Sequence, residues 1–179
     1  MQKIDVIEYL PTIMTELKKG VLVNTKNGDK VNSMTIAWGQ VGIEWVKMFF
    51  TIYVRHGRFT HEQIENTKEF TVSVPLERTT EITKAIAYIG SRSGRDINKL
   101  ADCNLTLVDG IEVNSPAIKE IPLTLECKVI YQQEQEIDNI PKEIKDICYP
   151  QDVPSSNPMA NKDFHTVYYG EIVNAYIVK

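Results

Sequence analysis

The sequence lacks most of the features that mark a specialised protein. Cysteine is sparse: Cys103, Cys127 and Cys148 are an odd, widely spaced set in 179 residues. They describe no disulfide framework and suit buried thiols in a reducing compartment. The three histidines, His56, His61 and His165, fall at no metal-ligand spacing, so no structural zinc and no metal site is expected. Basic charge is not in excess. The formal net charge is −4, and without a concentrated basic surface nucleic acid is not expected as a partner. The most apolar stretch, 48–54, is far too short to span a bilayer, and no basic leader with an apolar run and cleavage site opens the chain. These absences predict a cytoplasmic protein with no membrane partner. A nucleophile elbow, a metalloprotease helix, a Walker A loop and a dinucleotide-binding glycine pattern are all missing, which disfavours hydrolytic chemistry.

What is present is ordinary for a globular protein: 42% hydrophobic and 25% charged residues. The length fits a single domain over 1–179, large enough to hold together without disulfides or metals. Strands are expected over 20–24 and 31–38, joined by an Asn27-Gly28 hairpin signal. The run 48–54 is too continuously apolar to have a solvated face, and is expected at the centre of the sheet. Thr60 stands three residues before Gln63, the spacing of a capping box, and predicts a helix over 61–66. Residues 69–75 alternate as a half-buried strand. Ile82, Ala85, Ile86 and Ile89 recur at helical spacing, with Gly90 at the position of a left-handed cap. A loop over 90–95 leads to a short helix capped by Asp96. Further strands are expected over 105–108, 122–135 and 165–178, with a long irregular loop at 138–163 carrying four prolines around one short helix. Many strands with short helices and no βαβ alternation predict an antiparallel barrel.

Three segments carry the chemistry. In 32–38, Ser33 and Thr35 alternate with Met34, Ile36 and Trp38, so hydroxyls and amides share a strand with an apolar wall, as a planar polar-edged ligand requires. The same pattern fits an amphipathic strand with Met34, Ile36 and Trp38 in the core, which is the commoner outcome. Arg55 and Arg58 flank Gly57 just before the Thr60 helix start, where a phosphate would meet two guanidinium forks and the first helical amides. Two solvated arginines beside a cap is the plainer reading. Ser93, Gly94 and Arg95 precede a helix and offer an anion amides and hydroxyls, or form only a capped loop. His165, opening the last strand, either touches a bound ring or bonds within the core, and the second is the better bet.

In the order Asn32-Ser33-Met34-Thr35-Ile36-Ala37-Trp38-Gly39, Arg55-His56-Gly57-Arg58-Phe59-Thr60, 69–75, 93–99, 122–127 and 165–172, the chain resembles the flavin reductase-like family of FMN-binding split β-barrels, which includes the flavoredoxins. The resemblance implies a mainly β, Greek-key split barrel with short helices. It also implies a homodimer with FMN at or near the subunit interface and NADH or NADPH as electron donor. Met34, Thr35, Ile36, Ala37 and Trp38 would line the isoalloxazine, with the Ser33 hydroxyl beside them. Arg55, Arg58 and Thr60 would hold the ribityl phosphate. Ser93, Gly94 and Arg95 would approach the flavin, and His165 the nicotinamide. The chain departs from many relatives at Trp45-Val46-Lys47-Met48, where a proline is usual, and at Ile89, where a cysteine is frequent.

The expected function is an NAD(P)H-dependent flavin reductase in which hydride passes between stacked rings, with no side chain assigned as acid or base. A flavoredoxin-type carrier served by a protein donor or acceptor, and a noncatalytic FMN-binding module, use the same residues.

Overall fold

The computed structural model describes residues 1–152 and 161–179. A short strand β1 (Gln2–Lys3) leads into helix α1 (Val6–Leu17), which the sequence reading did not anticipate. Asp5 caps it by accepting the Ile7 amide at 2.9 Å, and Pro11 lies inside it, which hides the helix from propensity. Val6, Ile13 and Leu17 turn inward to the main core.

Strands β2 (Val21–Asn27) and β3 (Lys30–Ile36) form the expected hairpin, with Gly28-Asp29 as its turn. Next come β4 (Gly39–Glu44) and β5 (Lys47–Arg55), a second hairpin that turns at Trp45-Val46 with positive φ at both residues. Helix α2 (Phe59–Thr67), β6 (Glu69–Val74), α3 (Thr80–Gly90) and α4 (Lys99–Asp102) follow. The small pair β7 (Leu107–Val108) and β8 (Ala117–Ile118) precedes the long strand β9 (Leu123–Glu134). Helix α5 (Lys142–Cys148) and strand β10 (His165–Ile177) complete the order. The loop expected over 138–163 thus contains one short helix; its Pro154 and Pro158 lie outside the described residues.

The main sheet is antiparallel in every ladder, with strand order β3-β2-β6-β9-β10-β5-β4 and β1 added beside β10. Its two end strands, β3 and β4, are joined by Ala37 and Trp38 alone. A flat seven-strand sheet would separate those ends by about 29 Å, whereas such a link reaches roughly 11 Å. The sheet must therefore curl until its ends meet. No ladder joins β3 to β4 among the described residues, so the barrel is split along that seam. Val23, Phe50, Ile52, Phe70, Val72, Leu125 and Tyr168 fill its interior.

Several local expectations are corrected. β5 is paired on both edges but lies second from one end, and β9 takes the centre. Thr60 does not cap α2. The N-cap is Arg58, without a side-chain cap bond, because Thr60 Oγ1 instead accepts from Asn32 Nδ2 at 2.8 Å and Gln63 bonds Thr25 and the Lys30 carbonyl. Gly90 is the last residue of α3 rather than a left-handed cap; a Cβ there would lie 3.1 Å from Thr35 Cβ, so its smallness lets α3 approach β3. Asn98, not Asp96, caps α4, accepting the Ala101 amide at 3.2 Å. Ile36 is core, Met34 is half-buried against it, and Trp38 is exposed in the seam.

Candidate functional site

Two hollows meet along the seam. The first, of about 220 Å³, is lined by Met34, Thr35, Ile36, Ala37, Trp38, Tyr53, Arg55, Arg58 and His165. Its walls come from β3, the two-residue link, and the ends of β5 and β10. The second, of about 120 Å³, lies where α2 and α3 approach β3, and Met34, Thr35 and Arg58 belong to both. Asn32, Thr60, Arg92, Ser93, Gly94 and Lys99 are among its other lining residues.

The wall of the first hollow is aromatic. Trp38 and His165 have ring centroids 5.4 Å apart, and Tyr53 meets His165 edge-on at 6.4 Å. His165 is buried, with Nδ1 2.9 Å from the Tyr149 hydroxyl and 3.2 Å from Gln135 Oε1. Burial, reinforced by the Arg55 charge, pushes its pKa down to about 4, so the imidazole is neutral near pH 7. It therefore contributes a flat polar-edged surface rather than a charge.

The second hollow is cationic. Arg58, Arg92 and Lys99 line it without a carboxylate among the lining residues, and among the described residues none of the three is in an ion pair. Lys99 is buried, its ammonium donating to the carbonyls of Ile89 at 3.3 Å and Arg92 at 3.2 Å. Burial and then the Arg58 charge pull its pKa down to about 8. Asn32 Oδ1, in the same wall, is a buried acceptor without a hydrogen-bond partner. A Cβ on Gly94 would collide with that oxygen. The Thr60 hydroxyl accepts from Asn32, which leaves its proton to donate. The uncapped first turn of α2 adds its orphan amides. Chemically, this hollow is built to receive an anion carrying hydroxyl groups beside it.

The structure sorts the residues singled out in the sequence. Met34, Thr35, Ile36, Ala37, Trp38, Arg55, Arg58 and His165 line the first hollow, and Thr60, Ser93 and Gly94 the second. Two residues lie outside both. The Ser33 hydroxyl turns away to donate to Asn24 Oδ1 within a buried network, and Arg95 braces the α2 entry through the Gly57 carbonyl at 3.1 Å and Glu62 at 3.3 Å. The Thr35 hydroxyl is committed to the Ile86 carbonyl at 2.6 Å. Arg55 lines the first hollow, yet its guanidinium donates to the carbonyls of Cys148, Asn161 and Asp163. Its work is to hold the segment after α5, not to face an anion. Asn32, Arg92 and Lys99 were missed; each sits in or beside a segment the reading quoted, and only the long-range packing exposes its role.

A third and larger hollow, about 740 Å³ and mostly apolar, lies beyond Trp38 between α1 and α5 and shares Ala37, Trp38 and Tyr53 with the first. No helix among the described residues is long and apolar enough to cross a membrane.

Comparison with known proteins gives the family and the fold. The family model described as "Flavin reductase like domain" matches residues 14–179. An uncharacterised protein of Archaeoglobus fulgidus is 34% identical over 132 residues, covering 73% of this chain and 68% of the relative. Among solved structures, flavoredoxin of Desulfovibrio vulgaris (Miyazaki F) superposes with a TM-score of 0.66 at 24% identity, over 88% of this chain and 68% of its own. An FMN-binding domain of flavin reductases-like enzyme from Shewanella baltica OS155 gives 0.66 at 17% identity, over 99% and 79%. At these identities the structural likeness is one of fold, a split barrel.

Proposed function

Since the chain belongs to the flavin reductase-like family, we propose that it binds FMN across the two joined hollows and acts as an NAD(P)H-dependent flavin reductase. The observation that carries this reading is the pairing itself: an aromatic-walled slot continuous, through Met34, Thr35 and Arg58, with a pocket whose described lining residues include three cations and no acid. The residues fit the cofactor. Asn32 Oδ1 is a buried acceptor without a partner in the wall of the cationic hollow, and Gly94 packs against it where any side chain would collide.

Bound flavin supplies the capacity to take hydride from a dihydronicotinamide and to pass electrons onward. The chain's own residues do the positioning. Arg58, Lys99 and Arg92, with the Thr60 hydroxyl and the first amides of α2, neutralise and orient the phosphate. Asn32 accepts from the ribityl chain. Trp38, Met34 and the neutral ring of His165 wall the ring slot. No side chain is assigned as a proton donor or acceptor in the hydride transfer. We place entry of the nicotinamide donor at the larger apolar hollow, which shares Trp38 and Tyr53 with the ring slot. We also read the protein as a cytoplasmic homodimer; three free cysteines support a reducing compartment.

The test is the visible spectrum of purified protein after FMN addition and desalting, followed by anaerobic NADH and then NADPH. A retained flavin band that bleaches with either nucleotide is expected. A retained band that stays oxidised would replace the reductase with a carrier reduced by another protein. Failure to bind FMN and to turn over free flavin would overturn the reading.

A further inference from the structure

Away from the hollows, His56, His61 and Glu134 converge on one patch of surface. His56 lies in the turn after β5, His61 in the first turn of α2, and Glu134 ends β9. Each presents one metal-ligating atom, and these atoms lie within 4.8 Å of one another. His56 Nε2 is 2.6 Å from Glu134 Oε2, and the two imidazoles meet edge to face with centroids 5.1 Å apart. The Thr166 hydroxyl donates to Glu134 Oε1 at 2.7 Å and lies 2.9 Å from His61 Nε2.

The backbone beneath holds this arrangement. Thr166 is the ladder partner of both Glu134 and Val54, and the His56 amide bonds the Phe164 carbonyl at 3.2 Å.

We propose that His56, His61 and Glu134 form a binding site for a divalent first-row transition-metal ion of the zinc type. Two imidazoles and one carboxylate are the borderline donor set such ions select. Thr166 supplies the outer hydrogen bonds that orient ligands in metal sites. The half-exposed His56 and exposed Glu134 leave the remaining coordination positions to water or to a small exogenous ligand. The ion ties the entry of α2 to the end of β9, so its binding energy adds to the stability of the fold. The sequence concealed this site because Glu134 reaches the histidines only through the β9–β10–β5 pairing.

The experiment uses tag-free protein stripped with EDTA, titrated with Co²⁺ in the visible and with Zn²⁺ by calorimetry. One equivalent per chain is expected, with a tetrahedral-type Co²⁺ band and a Tm raised by Zn²⁺ but not by Mg²⁺. Glu134→Gln, on an exposed side chain, should weaken Zn²⁺ binding at least 10-fold, and Thr166→Val should weaken it by about 10-fold, the range for outer-shell partners. His61→Ala should abolish the Co²⁺ band. Absence of saturable binding in the parent protein would overturn the proposal, and so would Zn²⁺ affinity unchanged in a folded Glu134→Gln variant.

Discussion

The guanidinium carbon of Arg55 lies 4.9 Å from the ring centroid of Tyr149, on the segment that follows α5. With its donations to the Cys148, Asn161 and Asp163 carbonyls, Arg55 pins that segment to the end of β5. Three residues on, Arg58 donates to Asn161 Oδ1 at 2.8 Å and faces both hollows. Two arginines that look alike in the sequence therefore have separable effects.

Replacing Arg55 with Met should lower stability by about 1.5–3 kcal/mol, the range for hydrogen bonds to a charged group, since its carbonyl partners lose their donor. Urea denaturation measures the loss. FMN affinity of the folded fraction should change far less than stability does.

Arg58→Ala reverses that balance. Loss of a charged contact to the phosphate should raise the FMN Kd by about 10–150-fold, equivalent to about 1.5–3 kcal/mol, with the urea midpoint nearly unchanged. Flavin fluorescence titration reads the first quantity, and an unaltered Kd would remove Arg58 from the phosphate site.

Gly94→Ala tests the cradle sterically. A Cβ there collides with Asn32 Oδ1, so the variant should fold, because 91–96 is a loop, yet bind FMN at least 10-fold more weakly. Equal affinity would mean that the ligand does not approach Asn32.

Lys99 makes anion binding depend on pH. Its pKa of about 8 means that the ammonium charge is present below that pH and fades above it. FMN affinity should therefore decline as pH rises through 8, levelling off at the higher pKa of the bound form. Lys99→Met should bind weakly with that alkaline limb absent, as titrations from pH 7 to 10 would reveal.

His165 governs acid stability. Its folded pKa of about 4 lies below the unfolded value near 6.5, so the unfolded chain takes up the proton first. The contribution is complete above about pH 6.5 and is lost as pH falls toward 4, by roughly 3 kcal/mol over that window. Urea midpoints measured across pH 4–7 should fall less steeply in His165→Gln.

Elements with a local cause could be read directly: the Gly28-Asp29 hairpin, the strands β6 and β9, and the periodicity of α3, although β6, expected half-buried, is buried on both faces, Thr71 and Ser73 included. Elements decided at long range could not. α1 carries a proline within its turns, and β4 carries two glycines on an edge and turns at Trp45-Val46 rather than at an Asn-Gly pair. The site divided in the same way. Met34 to Trp38 were recognisable as a segment, whereas Ser33 was lost to a partner nine residues away, Asn24, and Thr60 was claimed by Asn32, twenty-eight residues away. Nothing local marks Lys99, whose burial comes from α3 and the loop after it, where the Ile89 and Arg92 carbonyls take its ammonium.

The seam between β3 and β4 makes the barrel compliant in one direction only. Elsewhere, widening the wall breaks ladder hydrogen bonds, but among the described residues no ladder ties these two edges together. A bulkier guest is thus accommodated at a cost in side-chain contact rather than in backbone bonding. Ala37 and Trp38, the short strap across the slit, become the place where guest size can be retuned without touching the stability of the rest.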